Sequence, residues 1–451
     1  MIKMKISNYK KLAACYLLAI NTACSMYHAS PLPTHPDFLV ASADITVRYP
    51  KNTKQQIHTI TLLHGLDITD IAMLTAENNP DLKLARDDAG IAHAEAFGAG
   101  LLPEPQLTFS RDFPTSYANG QTSAFVHGVD FEITSLLKLP FSSTIRRNDD
   151  RKTDLNLLWQ EIQTISQAEL LFIRIINEEK QLAAMKRYQT AFNDQPAIME
   201  MALAHHMILL DTAAGVLSPI NDTQGKINDM QQQLLKDRAD LNTMLHIDPT
   251  VLLPLDDTIT LTKIDDAAIH KKLATIAARR PDLLALQAGY KAEDARYRSA
   301  ILGQFPGVTA GINKARDNSD IRSSGFSFVI TLPIFNRNQG AIAVELATRT
   351  KLHDEYQARL NQTHSDILRL LSQNHNLQQQ YREAMAQCKI WQEAAENAAA
   401  AYRAHNITST SYISLQSVYL ARQLEVIILE QTLQEQQVTM RTLLSNDLSM
   451  D

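Results

Sequence analysis

The chain has 451 residues, of which 20% are charged, and a formal net charge of −6 at pH 7. This negative balance argues against a nucleic-acid-binding protein. The low content of Gly and Pro (14 and 16 residues) favours a mainly α-helical chain, and the length allows two or three domains. Beyond the first 24 residues no stretch approaches 18 consecutive apolar residues, so the sequence predicts no transmembrane helix.

Residues 1–23 have the features of an export signal. Four lysines precede an apolar run, LAACYLLAI, that is too short to span a membrane as a stable helix. Cys24 follows Thr22-Ala23 and resembles a lipoprotein processing site, at which the cysteine becomes the acylated first residue. Ordinary cleavage near Ala23, with Cys24 left unmodified, is the alternative. Removal of residues 1–23 would change the net charge from −6 to −10.

The mature chain is expected to contain no intramolecular disulfide. Cys15 lies in the export signal, and acylation of Cys24 would leave Cys388 as the only thiol. Residues 24–66 are rich in Pro, His and Thr, and we expect them to form an extended arm.

The rest of the chain contains two copies of one unit. A PDL motif at 80–82 and another at 281–283 each precede a helical run, and each run is followed by proline and by two stretches of alternating apolar residues. Each copy then continues into a long helical hairpin. The predicted divisions are a first repeat at 67–247, an irregular linker at 248–266, a second repeat at 267–446 and a C-terminal tail at 447–451.

Four short segments alternate apolar and polar residues, which is typical of β-strands. They are QLTFSRDF (106–113), VDFEIT (129–134), VTAGIN (308–313) and FSFVIT (326–331). The alternation fits strands of a membrane barrel, apolar outward and polar inward, and it also fits half-buried strands of a soluble sheet. Because four strands cannot close a barrel and open edges cannot face lipid, a membrane location would require strands from several chains.

A long helix is predicted after Leu332-Pro333, where proline ends the last strand. Ala341 to Ala404 contains no Gly and no Pro, and a helix of this length would extend roughly 95 Å. Residues at a spacing of three and four form a seam along it, which is typical of coiled-coil packing. The seam residues are Leu360, Thr363, Ile367, Leu370, Asn374, Leu377, Tyr381, Ala384, Cys388, Trp391, Ala395, Ala398 and Tyr402.

The two hairpins are predicted with different clarity. In the second copy the turn is expected at 405–411, with a returning helix from Tyr412 to about Leu444. In the first copy Pro196 is expected to kink or break the outgoing helix. The turn of that copy lies somewhere in 205–219, either near Gly215 and Ser218-Pro219 or nearer Met207.

These motifs carry a family resemblance. NNPDL, RRPDL, TLPIFNRNQGAIA and YRAHNITSTSYISLQSVYLARQLEVIILE, in this order and spacing, resemble the outer membrane efflux protein family of TolC-like channels over about residues 60–445. The resemblance implies a homotrimer with a 12-stranded outer-membrane β-barrel that continues into a periplasmic α-barrel. It implies an exit duct for a tripartite metal or drug efflux pump, working with a periplasmic adaptor (membrane fusion protein) and an inner-membrane pump.

Other functions remain open at this stage. The same channel could serve a type I secretion system. A periplasmic coiled-coil adaptor is a different class, but it would carry one hairpin within a compact β-domain. A soluble coiled-coil scaffold would leave the alternating strands unexplained. The sequence contains no H-E-x-x-H, G-x-S-x-G or CxxC motif, so we predict neither enzyme activity nor a cofactor.

The resemblance also implies where functional residues lie. Family channels are narrowed near the periplasmic tip by acidic side chains, and Glu393 and Glu396 are the candidates for this gate; an exposed, solvated helix face is the alternative. The family usually has glycine at the tip, where this chain has His405 or Asn406. The candidate adaptor-contacting residues are Ala213, Gly215, Ser218, His405, Asn406, Thr408 and Ser409.

A histidine pair lies near the first tip. His205 and His206 precede Met207, but adjacent histidines on a helix point about 100° apart and rarely share a metal ion. We therefore predict a structural or surface role for them and no metal site in the chain.

Overall fold

The structure of the chain, a computed structural model, describes residues 27–39, 44–49, 56–61, 65–115, 121–259, 261 and 265–445. The predicted export signal, Cys24 and the C-terminal tail lie outside these residues. The chain divides into two compact units, residues 1–38 and 39–451. In the first unit, residues 27–38 are irregular and exposed.

The second unit begins with a two-stranded antiparallel hairpin. Strand β1 (Asp44–Tyr49) pairs with β2 (Gln56–Thr61), with Asp44 opposite Thr61. The sequence analysis predicted an extended arm here instead. The difference has a simple cause, since DITVRY and QIHTIT are rich in β-branched residues, which favour strand pairing.

The order of elements is the same in the two copies, in agreement with the predicted duplication. The first copy contains α1 (Ile68–Asn78), α2 (Pro80–Ala99), β3 (Gln106–Asp112), β4 (Ala124–Glu132), α3 (Ile133–Ala191), α4 (Gln195–Ala204) and α5 (Leu210–Met244). The second contains α6 (Asp266–Leu273), a 3₁₀ turn (Ile276–Ala278), α7 (Pro281–Leu302), β5 (Gly307–Arg316), β6 (Arg322–Thr331), α8 (Gln339–Arg403) and α9 (Ser409–Leu443). The described chain is thus mainly helical, with a small antiparallel sheet.

The starts of the short helices follow from local capping. Asp67 and Asp70 form a reciprocal capping box at the start of α1. The Asn79 side chain accepts a hydrogen bond from the backbone N–H of Leu82, and Pro80 occupies the first position of α2, where its missing N–H costs nothing. The NPDL motif is therefore a helix start signal.

Four strands form one antiparallel sheet in the order β3-β4-β5-β6. The predicted strand 129–134 is wrong at both ends, since β4 begins at Ala124 and stops at Glu132. Ile133 and Thr134 begin α3, and the Thr134 hydroxyl accepts a hydrogen bond from the N–H of Val308 at 2.7 Å. The β5 and β6 strands also extend further into their connecting loop than the apolar alternation indicated.

Proline acts differently at four positions. Pro333 follows the end of β6, and Pro196 lies at the start of α4 after a break in the helix, as predicted. Pro140 and Pro219, in contrast, lie inside α3 and α5. In both cases a threonine hydroxyl four residues later donates to the proline carbonyl at 2.8 Å.

Helix α8 confirms the predicted rod. It has 65 residues, which corresponds to roughly 97 Å. All of the predicted seam residues are buried or partly buried, whereas most residues between them are exposed. The pattern is maintained because α9 packs back along α8.

The apolar core is divided along the helices. One cluster lies where α1, α3, α5 and the irregular segment after α5 meet, and it includes Phe172, Ile176, Leu245 and Ile247. A second cluster lies towards the hairpin turns, and a third joins α6, α7, α8 and α9. None of the helices in the described part of the chain combines the length and apolarity needed to cross a bilayer.

Candidate functional site

The four-stranded sheet presents one apolar face without a cover. Leu107, Val129, Ile312 and Phe326 stand directly opposite one another across β3, β4, β5 and β6. Their side chains are 78%, 44%, 60% and 82% exposed. A soluble sheet would bury such a row against a second layer, so this face requires a partner or an apolar solvent.

The opposite face of the sheet is polar. Asp130 accepts hydrogen bonds there from the hydroxyls of Thr108 and Ser327, both at 3.1 Å. Its carboxylate lies across Gly311, where an added Cβ would come within 2.0 Å of Asp130 Oδ1. Glycine at 311 therefore makes room for a polar network that spans β3, β4 and β6.

Both outer strands of the sheet leave an edge unpaired within the described residues. β3 hydrogen-bonds only to β4, and β6 only to β5. Open strand edges are templates for pairing with another chain. Among the described residues, the sheet thus lacks a cover on its apolar face and a neighbouring strand at each edge.

The two hairpins end in the same turn geometry. The α4 helix ends with the N–H of Met207 bonded to the carbonyl of Ala202, and His206 has a positive φ of 54°. In the second hairpin the N–H of Asn406 bonds to the carbonyl of Ala401, and His405 has a φ of 59°. Both are Schellman motifs, in which glycine is the usual residue at the left-handed position.

This geometry decides where the first turn lies. It occupies residues 205–209, so the position nearer Met207 is correct and the one near Gly215 and Ser218-Pro219 is wrong. Helix α5 continues through Gly215, Ser218 and Pro219 because the Schellman motif, made by His206, has already reversed the chain.

Aromatic side chains join the two hairpins near their turns. Tyr188 and Phe192 of the first hairpin lie with ring centroids 4.9 Å apart, and Phe192 is 5.2 Å from Tyr412 of the second. Tyr412 stacks on Tyr402 at 4.8 Å. The Tyr188 hydroxyl also hydrogen-bonds to the Ser417 hydroxyl at 2.7 Å. The two tips therefore form one packed end.

The candidate adaptor residues are distributed around this end. Ala213 is buried, whereas Gly215 and Ser218 are exposed on the first turns of α5. The other four candidates lie in the second turn and at the start of α9. Of these, His405, Asn406 and Thr408 are exposed and Ser409 is partly buried. The Thr408 side chain caps α9.

The candidate gate residues lie on the exposed side of α8. Glu393 and Glu396 are one turn apart and two to three turns before the end of the helix at Arg403. Glu396 accepts a hydrogen bond from the Gln392 side chain at 3.0 Å. Neither carboxylate contributes to the seam, so both are accessible in a single chain.

Sequence analysis missed two carboxyl pairs, each with at least one buried member. Glu178 on α3 faces Asp237 on α5, and burial, followed by the Asp237 carboxylate, raises the pKa of Glu178 to about 7. Glu293 on α7 likewise faces Glu345, and burial followed by that neighbour raises the Glu293 pKa to about 7. For the first pair the sequence did contain a signal. Glu178 and Asp237 lie seven residues before Met185 and Met244, at seam positions of their helices.

The histidine pair at the first tip forms no metal site with its neighbours. Within the described residues no group of three or more His, Cys, Asp or Glu side chains is placed to hold a metal ion. His205 is exposed, and His206 serves the turn through its backbone conformation.

Comparison with known proteins bears on the fold. No protein-family model matches the chain, and no curated protein matches it. The fold is that of TolC-like outer-membrane channels, as the motifs predicted. The Campylobacter jejuni CmeC outer membrane channel superposes with a TM-score of 0.71 at 14% identity, covering 95% of this chain and 96% of that chain.

Two further channel structures are similar. The open state of the Neisseria gonorrhoeae MtrE outer membrane channel gives a TM-score of 0.68 at 15% identity, covering 92% of this chain and 98% of that chain. CusC, described in terms of transmembrane channel formation, gives 0.70 at 17% identity, covering 93% and 99%. All three are described as channels.

Proposed function

We propose that three copies of this chain form an outer-membrane exit duct, the outermost component of a tripartite efflux pump. One observation carries the proposal: an uncovered apolar row runs in register across a sheet whose two edges are both open among the residues that the structure describes. Lipid would cover the apolar face, and neighbouring copies would pair with the edges. The likeness of the fold to outer-membrane channels supports the same assembly.

The strand count permits an all-antiparallel ring. Because four strands alternate in direction, β6 of one copy runs antiparallel to β3 of the next, and three copies give a 12-stranded barrel. Barrels of this kind have an even number of strands, with apolar residues outward and polar residues inward. The face with Asp130, Thr108 and Ser327 would then line a water-filled lumen.

The helices would extend this lumen away from the membrane. Helices α3 and α8 have 59 and 65 residues, or roughly 88 and 97 Å, which suits a conduit across much of a periplasm. A continuous aqueous duct performs no chemistry on its cargo. Passage through the duct would be passive, and an inner-membrane pump would supply the energy for export. The cargo would be small molecules or metal ions.

The packed end of the hairpins would meet the periplasmic adaptor. The two Schellman turns, at 205–209 and 404–408, lie at this end together with the exposed candidates Gly215, Ser218 and His405. Rings of Glu393 and Glu396 from three copies would narrow the duct near the same end, since clustered carboxylates repel one another and attract cations.

The proposed assembly is tested by fractionation of cells that produce the full chain. We expect the protein in the outer-membrane fraction, migrating as a trimer in mild detergent and as a monomer after boiling. A trimer found in the soluble fraction would contradict the proposal. Acylation at Cys24 is tested separately, by incorporation of labelled palmitate that a Cys24→Ser variant abolishes.

A further inference from the structure

The outward face of the sheet changes character at the end away from the helices. The apolar row of Leu107, Val129, Ile312 and Phe326 is followed, two residues further along each strand, by Phe109, His127, Lys314 and Ser324. The next row consists of Arg111, Phe125, Arg316 and Arg322. A band of basic residues thus borders the apolar surface near the connecting loops.

Charge is completely segregated between the two faces of the four strands. The outward face carries every lysine and arginine of β3 to β6, and the opposite face carries every aspartate and glutamate. The cations are Arg111, Lys314, Arg316 and Arg322, and the acids are Asp112, Asp130 and Glu132. The basic band therefore has no acidic partner on its own face of the sheet.

Two of the arginines are held in place by neighbours. The Arg316 guanidinium lies 5.2 Å from the Phe125 ring, donates to the Ser123 carbonyl at 2.9 Å and pairs with Asp320 at 3.3 Å. Arg111 lies 5.1 Å from the Phe113 ring. Stacking on aromatic rings fixes these cations while leaving N–H groups available to an anion.

Lys314 and Arg322 are both exposed, and neither side chain has a hydrogen bond or ion pair among the described residues. The acids of the nearby loop do not neutralise them. Asp320 is paired with Arg316, and the Asp317 carboxylate accepts the backbone N–H groups of Ser319 and Ile321.

An apolar groove leads to these cations. It has a volume of about 360 Å³ and is lined by Leu107, Val129, Ile312 and Phe326, with Lys314 and Ser324 at its loop end. An acyl chain fits the apolar part of such a groove, and a phosphate fits its basic end. The apolar groove and the cations at its loop end together match an amphiphile with an anionic head.

We propose that this band, made by Arg111, Lys314, Arg316 and Arg322, binds the phosphate groups of lipids in the leaflet around the loop end of the barrel. The inference rests on the proposed membrane barrel, which places the apolar rows against acyl chains and the band at the level of the headgroups. Basic residues beside a membrane surface attract anionic lipids, and arginine binds phosphate through a pair of parallel N–H groups.

The test compares lipid retention by trimers of the full chain. Wild type, the double variant Lys314→Gln/Arg322→Gln and the control Lys351→Gln/Lys389→Gln are placed in phosphatidylcholine nanodiscs containing lipid A, an acylated disaccharide with two phosphates. Both control lysines are exposed on α8, so the control loses the same charge elsewhere. Lipid A that remains bound after detergent extraction is counted by native mass spectrometry.

We expect the wild type and the control to retain lipid A equally. The double variant should bind it roughly 25-fold more weakly, about fivefold for each removed cation, the equivalent of about 1 kcal/mol each. Lipid A stripped of both phosphates should be retained poorly by all three proteins. Arg322→Gln alone lies on an exposed edge strand and should give a fivefold loss even where the double variant assembles poorly.

Equal retention by the wild type and by Lys314→Gln/Arg322→Gln would overturn the proposal. So would undiminished retention of the phosphate-free lipid, which would show that the acyl groove alone is responsible. Failure of the barrel itself has a separate readout, because the wild type would then form no detergent-resistant trimer and insert into no nanodisc.

Discussion

Replacing Glu178 by glutamine should stabilise the protein at neutral pH. Glu178 and Asp237 are 6% and 1% exposed, and each has one buried carboxyl oxygen, Oε2 and Oδ2, without a hydrogen-bond partner. Two ionised carboxylates in this site repel each other, so the folded chain favours the protonated form of Glu178 more than the unfolded chain does. The Glu178 pKa rises from 4.5 to about 7, with burial as the main cause and Asp237 as the second.

The size of the effect follows from the shift in pKa. A difference between 4.5 and about 7 sets an upper limit of about 3.5 kcal/mol at about 1.4 kcal/mol for each pH unit. Relaxation and water penetration reduce such penalties in real proteins, and we expect about 1–2 kcal/mol. Because the folded pKa is the higher one, stability from the protonated pair is complete below pH 4.5 and is lost as the pH rises through 7.

The assay is thermal unfolding of the detergent-solubilised trimer at pH 5, 6, 7 and 8, followed by circular dichroism at 222 nm. The stability of Glu178→Gln should equal that of the wild type near pH 5 and exceed it increasingly towards pH 8. Glu179→Gln is the control: it removes the neighbouring ion pair with Arg238, and because Glu179 is the smallest of the contributions to the Glu178 pKa, the gain should be small at every pH. If the stability of Glu178→Gln and that of the wild type change in parallel from pH 5 to pH 8, the raised pKa of Glu178 is refuted as the source of the effect.

Three further outcomes are expected. Glu393→Gln combined with Glu396→Gln should change the single-channel conductance and lower the preference for cations in planar bilayers. Phe172→Ala should lower the free energy of unfolding by about 3–5 kcal/mol, because this ring is 0% exposed in the apolar cluster where α1, α3 and α5 meet. Arg441→Met should cost about 3 kcal/mol at pH 8 by leaving buried Glu169 without its ion-pair partner, and less at pH 5, where Glu169 is protonated more readily because burial raises its pKa.

Each of these outcomes has its own control. An unchanged conductance in the double glutamine variant would leave Glu393 and Glu396 as a solvated helix face. Phe172→Leu keeps most of the buried volume, so a loss equal to that of the alanine variant would argue against a cavity as the cause. For Arg441→Met, a loss of stability that is the same at pH 5 and pH 8 would show that the Glu169 charge is not responsible.

Much of the fold could be predicted because it depends on periodic burial. The alternation in QLTFSRDF and FSFVIT located strands within a few residues, and the 3/4 spacing from Leu360 to Tyr402 located a seam whose residues are all buried or partly buried. These patterns survive because a one-residue shift of register would turn every apolar side chain to the wrong side.

Proline misled the prediction where tertiary packing outweighed its cost. Pro219 lies within α5, where its ring meets the carbonyl of Gly215 four residues earlier and its missing N–H removes one helical hydrogen bond. The Thr223 hydroxyl bonds to the Pro219 carbonyl. A proline in a helix interior costs about 3 kcal/mol, which burial of Val216 and Ile220 along the same helix can offset.

The first turn was ambiguous because its left-handed position is not glycine. His206, His246 and His405 all have positive φ angles just after a helix end. A non-glycine residue pays roughly 1–2 kcal/mol for this conformation, so sequence rules search for glycine instead. The buried acids were not predicted, because Glu178 and Asp237 stand at seam positions, where a helix normally has an apolar residue.

The most direct test of the three-chain barrel is a disulfide between copies. In a Cys388→Ser background, cysteine at Leu107 on the open edge of β3 is combined, one at a time, with cysteine at 324, 326 or 328 on β6. Oxidation should link the subunits into covalent dimers and trimers for at least one pair, while a Val129/Ile312 cysteine pair, whose residues are opposite each other within one copy, gives only monomers. Monomers from every β3–β6 pair, in protein that reaches the outer membrane, would contradict the proposed barrel.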